Sequence, residues 1–168
     1  MNVFYLDDSP TLAAQMQCDR HVVKMILESA QLLSTAHREI DGDTWADANG
    51  LYKSTHKNHP SAVWARSNTK HYQWLYQHML GLGTEYNRRY DKKHLTINKL
   101  GRVLAKWPDN LEMDVWCDPP QCMPDEYKQD SSMQGYRRYY AIDKAANDWF
   151  KYAKGRPAPS FIQEIRNG

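Results

Sequence analysis

Apolar residues recur at three- and four-residue steps along most of the chain, which is the spacing of one face of an α-helix. A short apolar run, Val3 to Leu6, predicts an extended start. Asp8-Ser9-Pro10 then supplies a cap and a proline suited to a first turn, so we predict a helix from about Thr11 to His37. Its predicted apolar face consists of Leu12, Val23, Ile26, Leu27, Ala30 and Leu33, widened by Val22, Met25 and Leu32.

Helical spacing resumes after a polar loop, Asp41 to Gly50, and dominates the rest of the chain. The predicted helices are a short one from His59 to about Arg66, a long one capped by Ser67 or Asn68, one from about Thr96 to Lys106, and a last long one beginning at Ser131 or Ser132 and carrying apolar residues to Phe150. Gly81 and Gly83 inside the long helix indicate that another backbone passes close by. Residues 108–130, rich in Pro, Asp and Asn, predict an ordered loop. The expected fold is all-α: a compact single domain over 1–168, a bundle of about four to five helices with a long ordered loop before the last.

Composition supports a folded, soluble protein and excludes several classes. Hydrophobic residues make up 41% and charged residues 25% of 168 positions, close to the globular average. No apolar run approaches the roughly 18 residues of a membrane span, so no membrane association is expected. Two acids and no basic residue in the first eight positions argue against a secretory signal, and three cysteines argue against a disulfide framework. We therefore expect a cytoplasmic location, the host cytoplasm if the protein is phage-encoded.

Charge is uneven along the chain. The formal charge is −5 over residues 1–52, +8 over 53–110 and −1 over 111–168. Tyrosines and tryptophans interleave with the basic residues of the middle third. Such a mixture suits a phosphate-binding surface, with nucleic acid or a nucleotide as the partner, but equally a helix face that simply meets water.

A polar stripe on the first helix is the most informative candidate site. It consists of Arg20, His21, Lys24, Glu28 and Gln31. Apolar flanks would desolvate the stripe, so Lys24 could act as a nucleophile or base and His21 or Glu28 as a general acid/base. The alternative is a solvated face with one Lys24/Glu28 ion pair.

A histidine-rich turn, Thr55 to Pro60, forms the second candidate. His56, Lys57 and His59 precede a helix start, where free amide groups attract phosphate, and Arg66 lies at the end of the same helix. The two histidines could also join Cys117 and Cys122 in a zinc site, but the cysteine spacing is loose, and we predict no metal and no cofactor.

The last helix alternates aromatic and basic side chains. Arg137, Tyr140 and Lys144 could clamp a nucleobase and its phosphate, although tyrosines at helical spacing are more often part of a core.

Four segments, taken in order, resemble a known family. They are Cys18 to Lys24, Asn58-His59-Pro60 through Arg88-Arg89-Tyr90, Met123 to Tyr127, and Trp149-Phe150-Lys151-Tyr152 through Arg156-Pro157. Together they resemble the bacteriophage pyrimidine-dimer DNA glycosylases of the endonuclease V type, which are compact all-α single domains. The chain also resembles small uncharacterised phage proteins that begin with a similar Phe-Tyr-Leu-Asp sequence.

The resemblance implies a reaction. In that family the α-amine of the processed N-terminus forms a Schiff base with the sugar and a helix glutamate assists. Here His21 stands at the glutamate position, while Arg20 and Lys24 match the family's phosphate-gripping residues. We therefore expect base excision with DNA as partner: Lys24 or the terminal amine is the nucleophile, and His21 or Glu28 is the acid/base. Two alternatives stay open, a nucleotide-binding or nucleotide-modifying phage protein that counters host signalling, and a non-catalytic interaction protein.

Overall fold

Eight α-helices and no strands make up the computed structural model, which describes all residues 1–168. The helices are α1 Pro10–Met16, α2 Asp19–Asp41, α3 Asp43–Ala48, α4 Pro60–Ala65, α5 Thr69–Tyr90, α6 Leu95–Leu100, α7 Ser132–Ile142 and α8 Phe161–Asn167. Three 3₁₀ turns supplement them, at Val103–Ala105, Asp125–Tyr127 and Lys144–Ala146. The all-α prediction is confirmed. None of the helices has the length and apolar character that crossing a membrane requires.

The first predicted helix is two helices, because the chain breaks at Gln17 and Cys18. Ser9 caps α1 as predicted, its hydroxyl accepting the Leu12 N–H at 3.2 Å. At the break, the guanidinium of Arg89 donates to the carbonyl oxygens of Gln15 and Gln17 at 2.9 and 2.7 Å. These tertiary bonds replace the helical ones, so the prediction of one continuous helix was wrong at this point.

The two long helices α2 and α5 form the centre of the core. Within α2 the apolar residues with no exposed surface are Val22, Ile26, Ala30, Leu33 and Ala36. The buried face is therefore rotated from the predicted one: Val22 lies at its centre, whereas Leu27 keeps 39% of its surface exposed. Leu12 of α1, also assigned to that face, is 45% exposed.

Helix α5 follows its prediction closely. The Asn68 side chain caps it by accepting the N–H groups of Lys70 and His71 at 3.0 and 3.1 Å. Helix α1 crosses α5 at Gly81, where an added Cβ would lie 3.1 Å from the Cβ of Ala14. The close backbone approach predicted from the helical glycines is confirmed at Gly81, where the Thr11 Cα would lie 3.5 Å away, but Gly83 faces the side chain of Ile97 instead.

Three further segments differ from prediction. Helix α3 occupies the predicted polar loop, the helix predicted over 96–106 ends at Leu100 before a 3₁₀ turn, and the last predicted helix stops at Ile142. Beyond Ile142 the chain turns so that Trp149 and Phe150 pack against α2 and α7, with Phe150 at 5.2 Å from the Tyr140 ring. Tertiary packing of large aromatic residues overrides helical spacing there.

A buried ionic network anchors the tail that follows. Arg89 has a fully buried side chain and pairs with Asp19 at 3.1 Å and Glu85 at 2.9 Å. Glu85 also binds Arg156 at 2.6 Å, and Asp19 accepts the Ala153 N–H at 2.7 Å. The network fixes residues 151–156 against the start of α2.

Candidate active site

A cavity of about 320 Å³ opens beside the first turns of α2, and we call it the N-terminal cavity. Its lining includes four of the five residues of the polar stripe, together with residues from the chain start, the long loop, α7 and the turn after it. These residues are Met1, Asn2, Phe4, Arg20, His21, Lys24, Met25, Glu28, Cys122, Tyr139, Lys144 and Trp149. The predicted trio His21, Lys24 and Glu28 is thus gathered around one hollow.

The chain start is held in the cavity by its own side chains and by the long loop. Asn2 Nδ2–H donates to the Cys122 carbonyl at 3.1 Å, while Asn2 Oδ1 accepts the N–H groups of Val3 and Phe4 at 2.8 and 3.1 Å. Phe4 adopts a left-handed conformation, φ 49°, which costs free energy for a non-glycine residue. That conformation brings its ring onto His21, at a centroid distance of 4.5 Å.

His21 lies between two aromatic rings and is only 5% exposed. Phe4 stacks on it at an interplanar angle of 22°, and Trp149 lies 5.2 Å away. Burial, and after it the positive charges of Lys144, Lys24 and Arg20, together lower the pKa of His21 to about 3. The imidazole is therefore neutral at physiological pH.

Tyr140 lies beneath the cavity rather than on its surface. Its side chain is completely buried, and its hydroxyl accepts the Cys18 N–H at 2.8 Å and contacts His21 Nδ1 at 3.0 Å. Burial raises the pKa of the phenol well above its usual value. Tyr140 does not line the cavity, so it cannot stack on a ligand there, and its contact with the site is the one with His21.

Cations surround the cavity mouth. Arg20 is exposed and extends over the Trp149 ring at 5.1 Å, and Lys24 is exposed beside it. Lys144 lies over the Tyr139 ring at 4.5 Å and pairs with Asp143 at 3.3 Å. Burial opposes the charge of Lys144, but its contacts with Tyr139 and Asp143 outweigh burial and raise its pKa. Because His21 is buried whereas Lys24 is exposed, the desolvation expected for the polar stripe affects His21 and does not extend to Lys24.

A second hollow of about 680 Å³, the tail groove, adjoins the cavity and shares Arg20, Lys24 and Trp149 with it. Its lining continues with Tyr90, Lys151, Ala153, Lys154, Asp19 and Val23. Its one acid, Asp19, is already paired with Arg89. The groove therefore combines aromatic rings with unpaired positive charge.

The histidine-rich turn lies outside this cavity, because neither of its histidines lines it. His59 Nδ1 caps α4 by accepting the Ser61 N–H at 3.1 Å. Burial, and after it the charge of the chain's terminal amine, lower the pKa of His59, so the turn lies within electrostatic reach of the chain start. His56 is exposed with φ 47°, and Lys57 pairs with Glu39 at 3.9 Å.

The remaining predicted residues also lie apart from the cavity. Arg137 donates to the Leu6 carbonyl at 2.8 Å and pairs with Asp7, so it holds the chain start in place. Gln31 and Arg66 are partly buried, and one guanidinium nitrogen of Arg66 has no hydrogen-bond partner. No group of three or more His, Cys, Asp or Glu side chains is arranged to hold a metal ion.

Four lining residues were not predicted to belong to the site: Phe4, Met25, Tyr139 and Trp149. The chain start was predicted only as the source of a reacting amine, and Cys122 only as a possible zinc ligand. The apolar run at the chain start was a usable signal, because residues Val3 to Leu6 are all buried and must carry the first two residues inward. Trp149 was indicated only by the resemblance of the closing aromatic segment.

On an all-α scaffold, this cavity brings together basic side chains, one carboxylate and one neutral imidazole. Residues 1–98 match the family model described as pyrimidine dimer DNA glycosylase, which is more than half of the chain, and the chain belongs to that family. Membership implies DNA as substrate and confirms the resemblance. No curated protein and no solved structure matches the chain significantly. Tyr139, Lys144 and Trp149 lie beyond the matched residues.

Proposed function

We propose that this protein is a DNA glycosylase with associated abasic-site lyase activity that acts on a damaged or modified base. The observation that carries the proposal is the convergence of the chain start, Lys24 and Glu28 on one cavity of about 320 Å³. A cavity of that volume accepts a single extruded nucleotide, and extrusion is how enzymes reach a base inside a duplex.

The amine at the chain start is the proposed nucleophile. Its nitrogen bonds to C1′ of the deoxyribose as the bond from C1′ to the base breaks, and the electron pair of that bond leaves with the base. The amine loses a proton and O4′ gains one as the sugar ring opens, which leaves the Schiff base. Glu28 then removes a C2′ proton, and the 3′ phosphate departs as the C2′–C3′ double bond forms.

Positive charge on the rim supports a DNA substrate. Arg20, Lys24 and Lys144 encircle the cavity, and Lys151 and Lys154 extend the same charge along the tail groove. Tyr90 and Trp149 supply aromatic surface within it. This mixture is the one that proteins use to hold sugar-phosphate backbone beside unpaired bases.

Reductive trapping with borohydride tests the proposal, since it converts a Schiff base into a stable protein–DNA adduct. With a duplex that contains a cyclobutane pyrimidine dimer, we expect an adduct whose mass-mapped position is the first residue of the mature chain. Glu28→Gln should lower strand cleavage at least tenfold, whereas Lys57→Gln, outside the cavity, should not lower it. An adduct on Lys24 would identify that residue as the nucleophile. The absence of any adduct with dimer, abasic and modified duplexes would refute the proposal.

A free nucleotide is the second candidate ligand, because the cavity volume suits one nucleoside and the net charge is only +2. The dependence of affinity on salt separates the two. Several phosphate contacts to a duplex give a steep log–log slope, and one mononucleotide gives a shallow one.

A further inference from the structure

We propose that His21, held by Tyr140 with its proton on Nε2, donates a hydrogen bond to a carbonyl oxygen of the departing base and so favours pyrimidines over purines. The inference rests on the glycosylase function proposed above. Tyr140 is then a positioning residue, since it acts on the substrate only through His21.

Hydrogen bonding beneath the ring sets the tautomer. The Tyr140 hydroxyl accepts the Cys18 N–H at 2.8 Å, and that amide belongs to the N-cap of α2, so no helical carbonyl competes for it. The hydroxyl is completely buried, and His21 Nδ1, 3.0 Å away, is its other hydrogen-bond partner, so we infer that its proton is donated there. With Nδ1 accepting, a neutral imidazole carries its proton on Nε2.

Aromatic packing fixes the direction of that proton. Phe4 and Trp149 lie 4.5 and 5.2 Å from the ring and prevent it from rotating. Nε2 has no hydrogen-bond partner in the protein. It is also not one of the completely buried side-chain atoms that lack a partner, so it keeps some solvent-accessible surface. Because His21 lines the N-terminal cavity, the free Nε2–H faces the space that a base would occupy.

Burial, and after it the surrounding positive charges, keep the imidazole neutral. Arg20 and Lys24 approach from α2 and Lys144 from the turn after α7, while Tyr140 and the apolar rings contribute no negative charge. With its pKa lowered to about 3, His21 is neither a proton donor nor a base near pH 7. A neutral imidazole can still stabilise negative charge by hydrogen bonding, provided that it is oriented in advance.

The departing base supplies such a charge. When the glycosidic bond of a pyrimidine breaks, the electron pair on N1 is shared with the adjacent carbonyl oxygen O2. A hydrogen-bond donor at O2 therefore stabilises the transition state. No proton is transferred from His21. The base takes its proton from water once the glycosidic bond has broken. A purine has no carbonyl next to its glycosidic nitrogen, so it gains nothing from this donor.

Nitrogen NMR of the histidine rings in the intact protein tests the tautomer without any substrate. We expect His21 to show a protonated Nε2 and an unprotonated Nδ1 that do not titrate between pH 5 and 8. In Tyr140→Phe the preference should be lost and the two tautomers should mix. The control Tyr76→Phe, which removes a comparable hydroxyl contact at 2.7 Å to the Gly101 carbonyl, should leave the His21 signals unchanged. A proton on Nδ1 in the unaltered protein overturns the proposal.

Two substrates test the catalytic part, because a preformed abasic site has no base to release. His21→Ala should slow cleavage of the glycosidic bond in a dimer-containing duplex about 100-fold, the usual effect of losing one oriented donor. Cleavage at a preformed abasic site should fall at least tenfold less, and His21→Gln, which keeps a neutral donor, should recover part of the loss. Equal losses on both substrates overturn the role of His21 alone. Absence of glycosidic-bond cleavage by the unaltered protein, with the expected tautomer present, refutes the glycosylase function and with it the leaving-group role.

Discussion

Arg89 and Asp19 form a buried ion pair, with nitrogen and oxygen 3.1 Å apart and side chains 0% and 9% exposed. The pair joins the last turn of α5 to the first turn of α2, next to Arg20 and His21. Because Arg89 also donates to the carbonyls of Gln15 and Gln17, one guanidinium determines where α1 ends and where α2 begins. The position of the candidate active site therefore depends on a residue that does not line it.

Replacing Arg89 should strongly destabilise the protein. Arg89→Met leaves the buried Asp19 carboxylate without its ion-pair partner and leaves Glu85 with Arg156 alone, and breaking a buried pair in this way costs about 3–5 kcal/mol. Urea unfolding measures the change, and Arg88→Met, an exposed neighbour, is the control. A loss below about 1 kcal/mol would show that the network contributes little.

Stability should fall as the pH drops from about 6.5 towards 4, in part because of His78. Burial lowers the pKa of His78 to about 4, against the opposing hydrogen bond to the Pro10 carbonyl. Below the unfolded pKa of about 6.5 the unfolded chain binds a proton that the native protein does not, so the free energy of unfolding falls by up to about 1.4 kcal/mol per pH unit. Above pH 6.5 His78 does not make the free energy of unfolding depend on pH. Urea midpoints at pH 7, 5.5 and 4.5 should show a smaller slope in His78→Gln, and an identical slope would contradict the assignment.

Removing the Arg20 charge should weaken DNA binding and its dependence on salt. If Arg20 contacts one phosphate, Arg20→Gln lowers the log–log slope of affinity against salt by about one. Lys99→Gln is a matched control, because Lys99 also lies over an aromatic ring, Tyr52 at 4.8 Å, and the Tyr52 carbonyl binds Arg38 near the opposite end of α2 from Arg20. Equal changes in both variants, measured by fluorescence anisotropy with a labelled duplex, would indicate general electrostatics rather than a contact at the cavity.

A larger side chain at Gly81 should separate α1 from α5. The backbone oxygen of Pro10 would lie 3.6 Å from an added Cβ, and Ala14 would be closer still, so the methyl groups of Gly81→Val have no free space. Overpacking of this kind costs about 1–3 kcal/mol. Thermal unfolding should show the loss, whereas Gln73→Val on the exposed side of the same helix should show little change.

Helical spacing was sufficient to predict α5, because its cap, its apolar period and its glycine contact are all local features. The same reasoning predicted one helix across Gln17 and Cys18, since the chemistry that breaks it comes from Arg89, 72 residues away from Gln17. The candidate active site shows the same difference between local features and long-range contacts. His21, Lys24 and Glu28 share a helix face and could be grouped from their spacing, whereas no local pattern indicates that Tyr140 lies under His21, 119 residues apart. Tyr140 was expected to stack on a nucleobase, and its burial shows why tyrosines at helical spacing are a poor guide to ligand contacts.

The contacts that hold Asn2 and Leu6 also determine when the site is completed during synthesis. These residues are synthesised well before their partners Cys122 and Arg137, which lie 120 and 131 positions later. Until α7 emerges, the opening segment lacks these hydrogen bonds, and contacts of such long sequence separation form slowly. The amine proposed to do the chemistry is therefore translated early but is among the last groups to reach its working position.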